Sequence, residues 1–298
     1  MIVTPEFPEA FTSADAHSLD GQRRTIRGTA ARLVLTVVAT LCLALAPLWP
    51  IEVGHREVEL AGILAALLFL LALLLEVRLL RARPERGWYD GRAVAESAKT
   101  LAWRYAVGGA PYPVDGGATA DDFASDLRSL GTDVAALRQV VSTGGQPTAW
   151  MENVRSADLN ARRDVYLRQR VRDQEEWYAR KADYNRRRAR FWNAVLLTAE
   201  ALGVVLALLK SLSIVPIDLA SLAAAVIASG MAWLAVKQHE SIASAYALAS
   251  RELAAVHVRL LEVDEESVWA DEVGSAEEAI SREHTMWRAS RIKPETAD

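Results

Sequence analysis

The chain has 298 residues, 51% hydrophobic and 24% charged, with a formal net charge of −4 at pH 7. The acid excess argues against a nucleic-acid-binding role, and the single cysteine, Cys42, rules out an internal disulfide or a cysteine metal cluster. These averages hide an uneven distribution. Charge-free apolar runs alternate with stretches dense in arginine and glutamate, the pattern of a membrane protein with a water-facing part.

Arg23, Arg24, Arg27 and Arg32 lead into the first apolar run, at about 33–50. A span needs about 20 mostly apolar residues, because the hydrocarbon core is roughly 30 Å thick. Ala44-Leu45-Ala46 resembles a leader cleavage site, but the segment before the run is too long and too acidic for a leader, so the run is read as a retained span. The second run, about 59–77, is nearly all Leu, Ala and Phe with no polar stripe, which predicts a lipid-facing helix. Arg78, Arg81, Arg83 and Arg86 follow it, then the interfacial aromatics Trp88 and Tyr89.

Two polar helices are predicted next, over about 86–107 and 120–142. The first is stopped by Gly108-Gly109 and the Pro111/Pro113 pair, and the second by Gly144-Gly145 and Pro147. This glycine- and proline-rich patch divides the chain into domains 1–147 and 148–298. From Trp150 an unbroken helix, about 150–190, is predicted to run through Arg186, Arg187, Arg188 and Arg190 into a third span at about 191–210. A fourth span, about 217–236, is predicted to continue past Lys237 into helices over about 237–288. There Ile242, Tyr246, Ala249, Leu253, Val256 and Leu260 form one apolar stripe. Ser275 and Glu278, after Gly274, resemble a capping box that opens a last short helix.

The fold class is therefore all-α: an integral membrane protein with four transmembrane helices in two hairpins, its long polar helices packed as a helical bundle. The lipid bilayer is the first partner. Arginines flank the outer ends of both hairpins, while the intervening turns carry only Arg56 and Lys210. Both termini and the central segment are accordingly expected in the cytoplasm, and the protein in a bacterial inner (plasma) membrane.

No phosphate loop, dinucleotide turn, HExxH or CxxC occurs, and the five histidines are scattered. No catalytic residue, cofactor or metal is expected, and the chain does not read as an enzyme. The residue chemically out of place is Glu200, roughly 13 Å into the third span at helical rise. An acid near mid-bilayer costs about 2.5–3.5 kcal/mol, so it belongs inside a bundle or beside water. Two readings stay open: a polar partner such as Ser221, Ser229 or Thr198, or a place along an ion path. Ala199, Gly203 and Ala207 recur every fourth residue, as do Ser221, Ala225 and Ser229. Such small-residue rows permit close helix packing and predict a homo-oligomer.

Several strings carry a family resemblance: Tyr166-Leu-Arg-Gln-Arg, Gln174-Glu-Glu-Trp177-Tyr178, Lys181-Ala-x-x-Asn185, Tyr246, and Ala276-Glu-Glu-Ala-Ile-Ser-Arg before Glu283, His284 and Trp287. With these the second half resembles the SLATT superfamily, the SMODS- and SLOG-associating two-transmembrane effector domains. Glu96-Ser-Ala-Lys-Thr-Leu-Ala-Trp103 makes the first half similar to a second, diverged copy. The resemblance implies an anti-phage or conflict effector that forms pores or perturbs the membrane on a nucleotide signal. A separate nucleotide-signalling enzyme or sensor is then the expected partner. Two functions follow as expectations: an oligomeric ion-conducting pore, or a non-conducting anchor whose polar helices recruit a partner protein.

Overall fold

A computed structural model describes residues 4–48, 50–53, 56–130, 145–215 and 217–291. The chain separates into two compact units, and these do not follow the halves of the sequence. One gathers Met1–Gly21, Glu85–Asp183 and Ala243–Asp298, and the other gathers Gln22–Pro84 and Tyr184–Ile242.

The second of these is the membrane unit. Among the described residues four helices are long and apolar enough to cross a bilayer, and in the last two none of the most apolar window is buried. So much apolar surface turned outward is stable only against lipid or another span. Helix α1 (Glu9–Leu45) carries the first span and ends earlier than its apolar run, in a 3-10 turn at Ala46–Leu48. Pro47 and Pro50 supply no backbone N–H, so the helix cannot continue to position 50 as expected. A small antiparallel ribbon follows, β1 (Pro50–Val53) against β2 (Arg56–Glu59), with Pro50 opposite Glu59 and Val53 opposite Arg56. Helix α2 (Leu60–Ala82) returns. Leu79 Cδ2 lies 2.7 Å from where a Cβ on Gly28 would sit, so the Leu79 side chain packs into the space that this glycine leaves between α1 and α2. One turn further along, Arg32 pairs with Glu76 at 2.5 Å.

The other hairpin is formed by the distal part of α7 (Asp173–Ser211) and by α8 (Leu219–Lys237). Both returning spans end in the same way. Arg83 (φ 41°) and Gln238 (φ 48°) adopt the left-handed conformation and donate their N–H to the carbonyls of Leu79 and Leu234, four residues back. A new helix starts at once after each: α3 (Pro84–Val107) and α9 (His239–Leu261). The fourth span therefore does not run smoothly past Lys237.

The other unit is a polar helical bundle. It is built from the start of α1, α3, α4 (Ala120–Ser129), α5 (Ala149–Arg155), α6 (Leu159–Tyr166), a π-helical turn at Leu167–Arg172, the start of α7, most of α9, and α10 (Glu266–Arg291). The predicted unbroken helix from Trp150 is interrupted at Ser156–Asp158, where the Asp158 carboxylate accepts from the Ala161 N–H and starts a new helix. The predicted 120–142 helix is seen from Ala120 to Ser129, and residues 131–144 lie outside the described part. The capping box at Ser275 and Glu278 is not used, because α10 has already begun at Glu266. Gly274 is a packing glycine: the Ala110 side chain lies 3.2 Å from its notional Cβ, and Arg104 Nη2 donates to its carbonyl at 2.9 Å. The core is aromatic. Trp103 meets Trp150 and Tyr166 edge-on at 5.1 and 5.8 Å, and Tyr166 meets Trp269 at 5.9 Å. The predicted stripe on α9 is buried here through Ala249, Leu253, Val256 and Leu260.

Candidate functional site

The third span has two unlike faces. Gly203 looks towards α8 of its own hairpin, its notional Cβ 3.5 Å from the Ala223 methyl, and Gly230 of α8 receives Leu196. Ala199, Gly203 and Ala225 are half-buried in the chain, so at least part of the predicted small-residue packing is spent within one hairpin. Ala207 lies on the exposed side. That outer face carries Leu197 (68% exposed), Val204 (62%) and Leu208 (59%). Glu200 belongs to it, three residues from Leu197 and four from Val204, and is exposed.

Glu200 has no hydrogen bond or ion pair among the described residues. The expected partners are committed elsewhere: Thr198 Oγ1 donates to the Ala194 carbonyl at 2.8 Å, and Ser221 Oγ donates to Asp218 at 2.5 Å, capping α8. Ser229 is half-buried on α8, and among the described residues it has no side-chain hydrogen bond to Glu200. Within one chain the intramolecular pair is therefore not formed. A carboxyl presented on a bare apolar face is the arrangement that an adjoining polar surface, or water, has to relieve.

A second chemical centre lies in the polar bundle. Glu277 of α10 is fully buried and accepts four hydrogen bonds on its two oxygens. They come from Arg170 Nε (2.9 Å) and Nη2 (2.7 Å), the Tyr166 hydroxyl (2.9 Å) and Thr100 Oγ1 (3.0 Å). Arg170 sits in the π-helical turn, a wide loop of helix of the kind that re-aims side chains. Burial alone would lower its pKa, but the charge of Glu277 outweighs that and holds the guanidinium above its ordinary value. Lys99 nearby is pushed below the usual lysine value, first by burial and then by the charge of Arg170. Arg162 forms a further buried tie, to Glu266 and to the Val107 carbonyl.

Two family models match the sequence: residues 8–163 match SMODS and SLOG-associating 2TM effector domain 3, and residues 166–287 match domain 1 of the same series. The chain belongs to the SLATT family, in two tandem copies. No curated protein and no solved structure gives a match. SLATT domains are two-transmembrane effector domains associated with conflict and defence systems.

In this SLATT protein the motif residues of the second copy are mostly structural. Trp177, Tyr178 and Tyr246 form one ring cluster with centroids 5.2–5.3 Å apart, and Lys181 lies over the Trp177 ring at 5.7 Å. Asn185 Oδ1 meets His239 Nδ1 at 2.7 Å, closing the polar end of the second hairpin. The side chains of Glu283, His284 and Trp287 lie outside the described part. The tandem copies are not separate bodies. Thr100 and Arg104 of the first copy bond Glu277 and the Gly274 carbonyl of the second, and Trp269 Nε1 of the second donates to the Val107 carbonyl of the first at 2.7 Å. Glu277 and Arg170 both stand inside the motif strings, yet no spacing in the sequence marks them as a pair.

Proposed function

We propose that this SLATT protein is the membrane effector of a bacterial anti-phage or conflict system. Its copies assemble around an ion-conducting pathway, or otherwise breach the membrane, after a nucleotide-type signal made or sensed by a separate polypeptide. One observation carries the reading: Glu200 stands unpartnered on an apolar face of the third span that its own chain leaves bare. Facing hydrocarbon, that carboxyl costs several kcal/mol. Facing the equivalent surface of another copy, it meets other acids and the water between them, and the cost becomes an ion path. The arginine asymmetry across both hairpins supports an inner-membrane location with the termini and the polar bundle in the cytoplasm, where a soluble signal is met.

The second reading, a non-conducting anchor, draws on the large polar bundle and its buried charge network. Current recorded from full-length protein in planar bilayers separates the two. For an ion path, Glu200→Gln and Glu200→Leu both lower conductance or change selectivity while the protein stays in the membrane. If Glu200 only holds helices together, Gln behaves like the parent and Leu disturbs assembly. Unaltered current and assembly in both variants would refute either role.

A further inference from the structure

We propose that the polar ends of the two hairpins form a belt that binds anionic phospholipid headgroups. The belt is built from Arg27 on α1, Arg78, Arg81 and Arg83 on α2 or its terminal turn, and Arg187 and Arg190 on α7. All six are exposed, and among the described residues none of their side chains has a hydrogen bond or an ion pair. The contact of Gly28 with Leu79 and the Arg32–Glu76 pair fix the register of the first hairpin, so Arg27 and the arginines of α2 share one end of it. Glu76 is the only acid in the segments 22–34 and 76–84, and Arg32 already holds it. The segment 184–192 contains no acid. The chain as a whole is negative, at −4, so this positive charge is a local concentration and not a general property of the surface.

Position selects the occupant. Arg190 directly precedes Phe191 and Trp192, and Arg78 lies three residues beyond Leu75 at the end of the leucine-rich run. Guanidinium groups within a turn or so of the apolar segments lie in the headgroup layer, where a nucleic acid or an acidic protein meets the bilayer before it meets the arginines. The chemistry matches phosphate diesters. Guanidinium stays charged, presents a planar fork of donors to two oxygens, and is only weakly hydrated. An anionic headgroup gains roughly fivefold in local affinity from each basic residue near the surface, whereas a zwitterionic one gains little. The inference is independent of conduction, and it holds for an anchor as well as for a pore.

The test uses full-length protein in phosphatidylcholine membranes with trace spin-labelled phosphatidylglycerol or spin-labelled phosphatidylcholine. The motionally restricted fraction of each label reports its relative association. The parent protein is expected to prefer phosphatidylglycerol by about fivefold, with the preference shrinking as salt is raised. The combined variant Arg27→Gln, Arg78→Gln, Arg81→Gln, Arg187→Gln and Arg190→Gln is expected to bring the ratio near one, and the corresponding lysine variant to keep most of it. Equal restriction of both labels by the parent would overturn the proposal, as would a preference that survives in the glutamine variant. So would the finding that the parent in detergent binds an RNA oligonucleotide or an acidic peptide through these arginines while showing no lipid preference. If the glutamine variant elutes abnormally from size exclusion, the salt dependence of the parent and the ratio held by the lysine variant decide between the same outcomes.

Discussion

Glu277 offers the sharpest perturbation, because its partners are countable. Both oxygens are saturated by Arg170, Tyr166 and Thr100, with Glu277 at 0% and Arg170 at 1% exposure. Glu277→Ala removes the acceptor but leaves the guanidinium buried. Breaking a buried pair from one side costs about 3–5 kcal/mol, and the orphaned hydroxyls of Tyr166 and Thr100 add to this at about 1–3 kcal/mol per unsatisfied group. Removing both charges together, as Arg170→Met with Glu277→Leu, abolishes the uncompensated ion and leaves only the hydroxyl cost, so the double variant is expected to be more stable than Glu277→Ala alone. Adding Tyr166→Phe brings it closer to the parent. Thermal unfolding of the full-length protein in nanodiscs, followed by the fluorescence of the core tryptophans Trp103, Trp150 and Trp269, reads the difference as a lowered midpoint. A Glu277→Ala protein that melts with the parent, or a double variant as weak as the single one, would refute the reasoning.

The left-handed joints at Arg83 and Gln238 make a stability gain available: glycine at either position relieves a strain of about 1 kcal/mol, and each substitution is expected to raise the unfolding midpoint, with a lowered midpoint counting against the strain. Alkaline conditions weaken the bundle. Burial first, and then the Glu152 hydrogen bond, raise the Tyr105 phenol from 10.0 to about 12, and burial also raises Tyr112 and Tyr166. The folded state thus holds these protons more tightly than the unfolded one, so the stability is intact below pH 10 and is lost as pH climbs towards about 12. A midpoint that stays flat over that window, or one that Tyr112→Phe leaves equally steep, contradicts the assignment.

The spans and their pairing are legible in the sequence because lipid imposes one crude demand: about 20 apolar residues in a row. The α9 stripe is legible for a related reason, since the burial of Ala249, Leu253, Val256 and Leu260 follows helical period alone. Features set by tertiary contact are not legible. Gly274 stands before a capping-box pattern in the sequence but is a packing glycine within α10, beside Ala110 and Arg104. Gln238 has no glycine signature, yet it adopts the conformation that usually selects one. The break at Ser156–Asp158 had a local signal in the capping Asp158, which the continuous helical pattern around it masked. Arg170 and Glu277 lie 107 residues apart, and their pairing depends on the π-helical turn that no residue pattern announces. For Glu200 the sequence marks the anomaly, and the structure adds which face carries it and that Thr198 and Ser221 are already engaged.

That both SLATT copies lie on one polypeptide constrains any assembly of the kind proposed above. Separate chains with one hairpin each would be under no such constraint. In the assembly proposed above, hairpins of two kinds would enter in equal number, one of each per polypeptide. The first brings a leucine-rich span whose acid, Glu76, is already neutralised by Arg32, and the second brings Glu200. A ring of n chains would therefore carry 2n hairpins and have at most n-fold rotational symmetry. Such a ring would hold n Glu200 carboxyls among 2n hairpins, half the number that repetition of the second copy alone would supply.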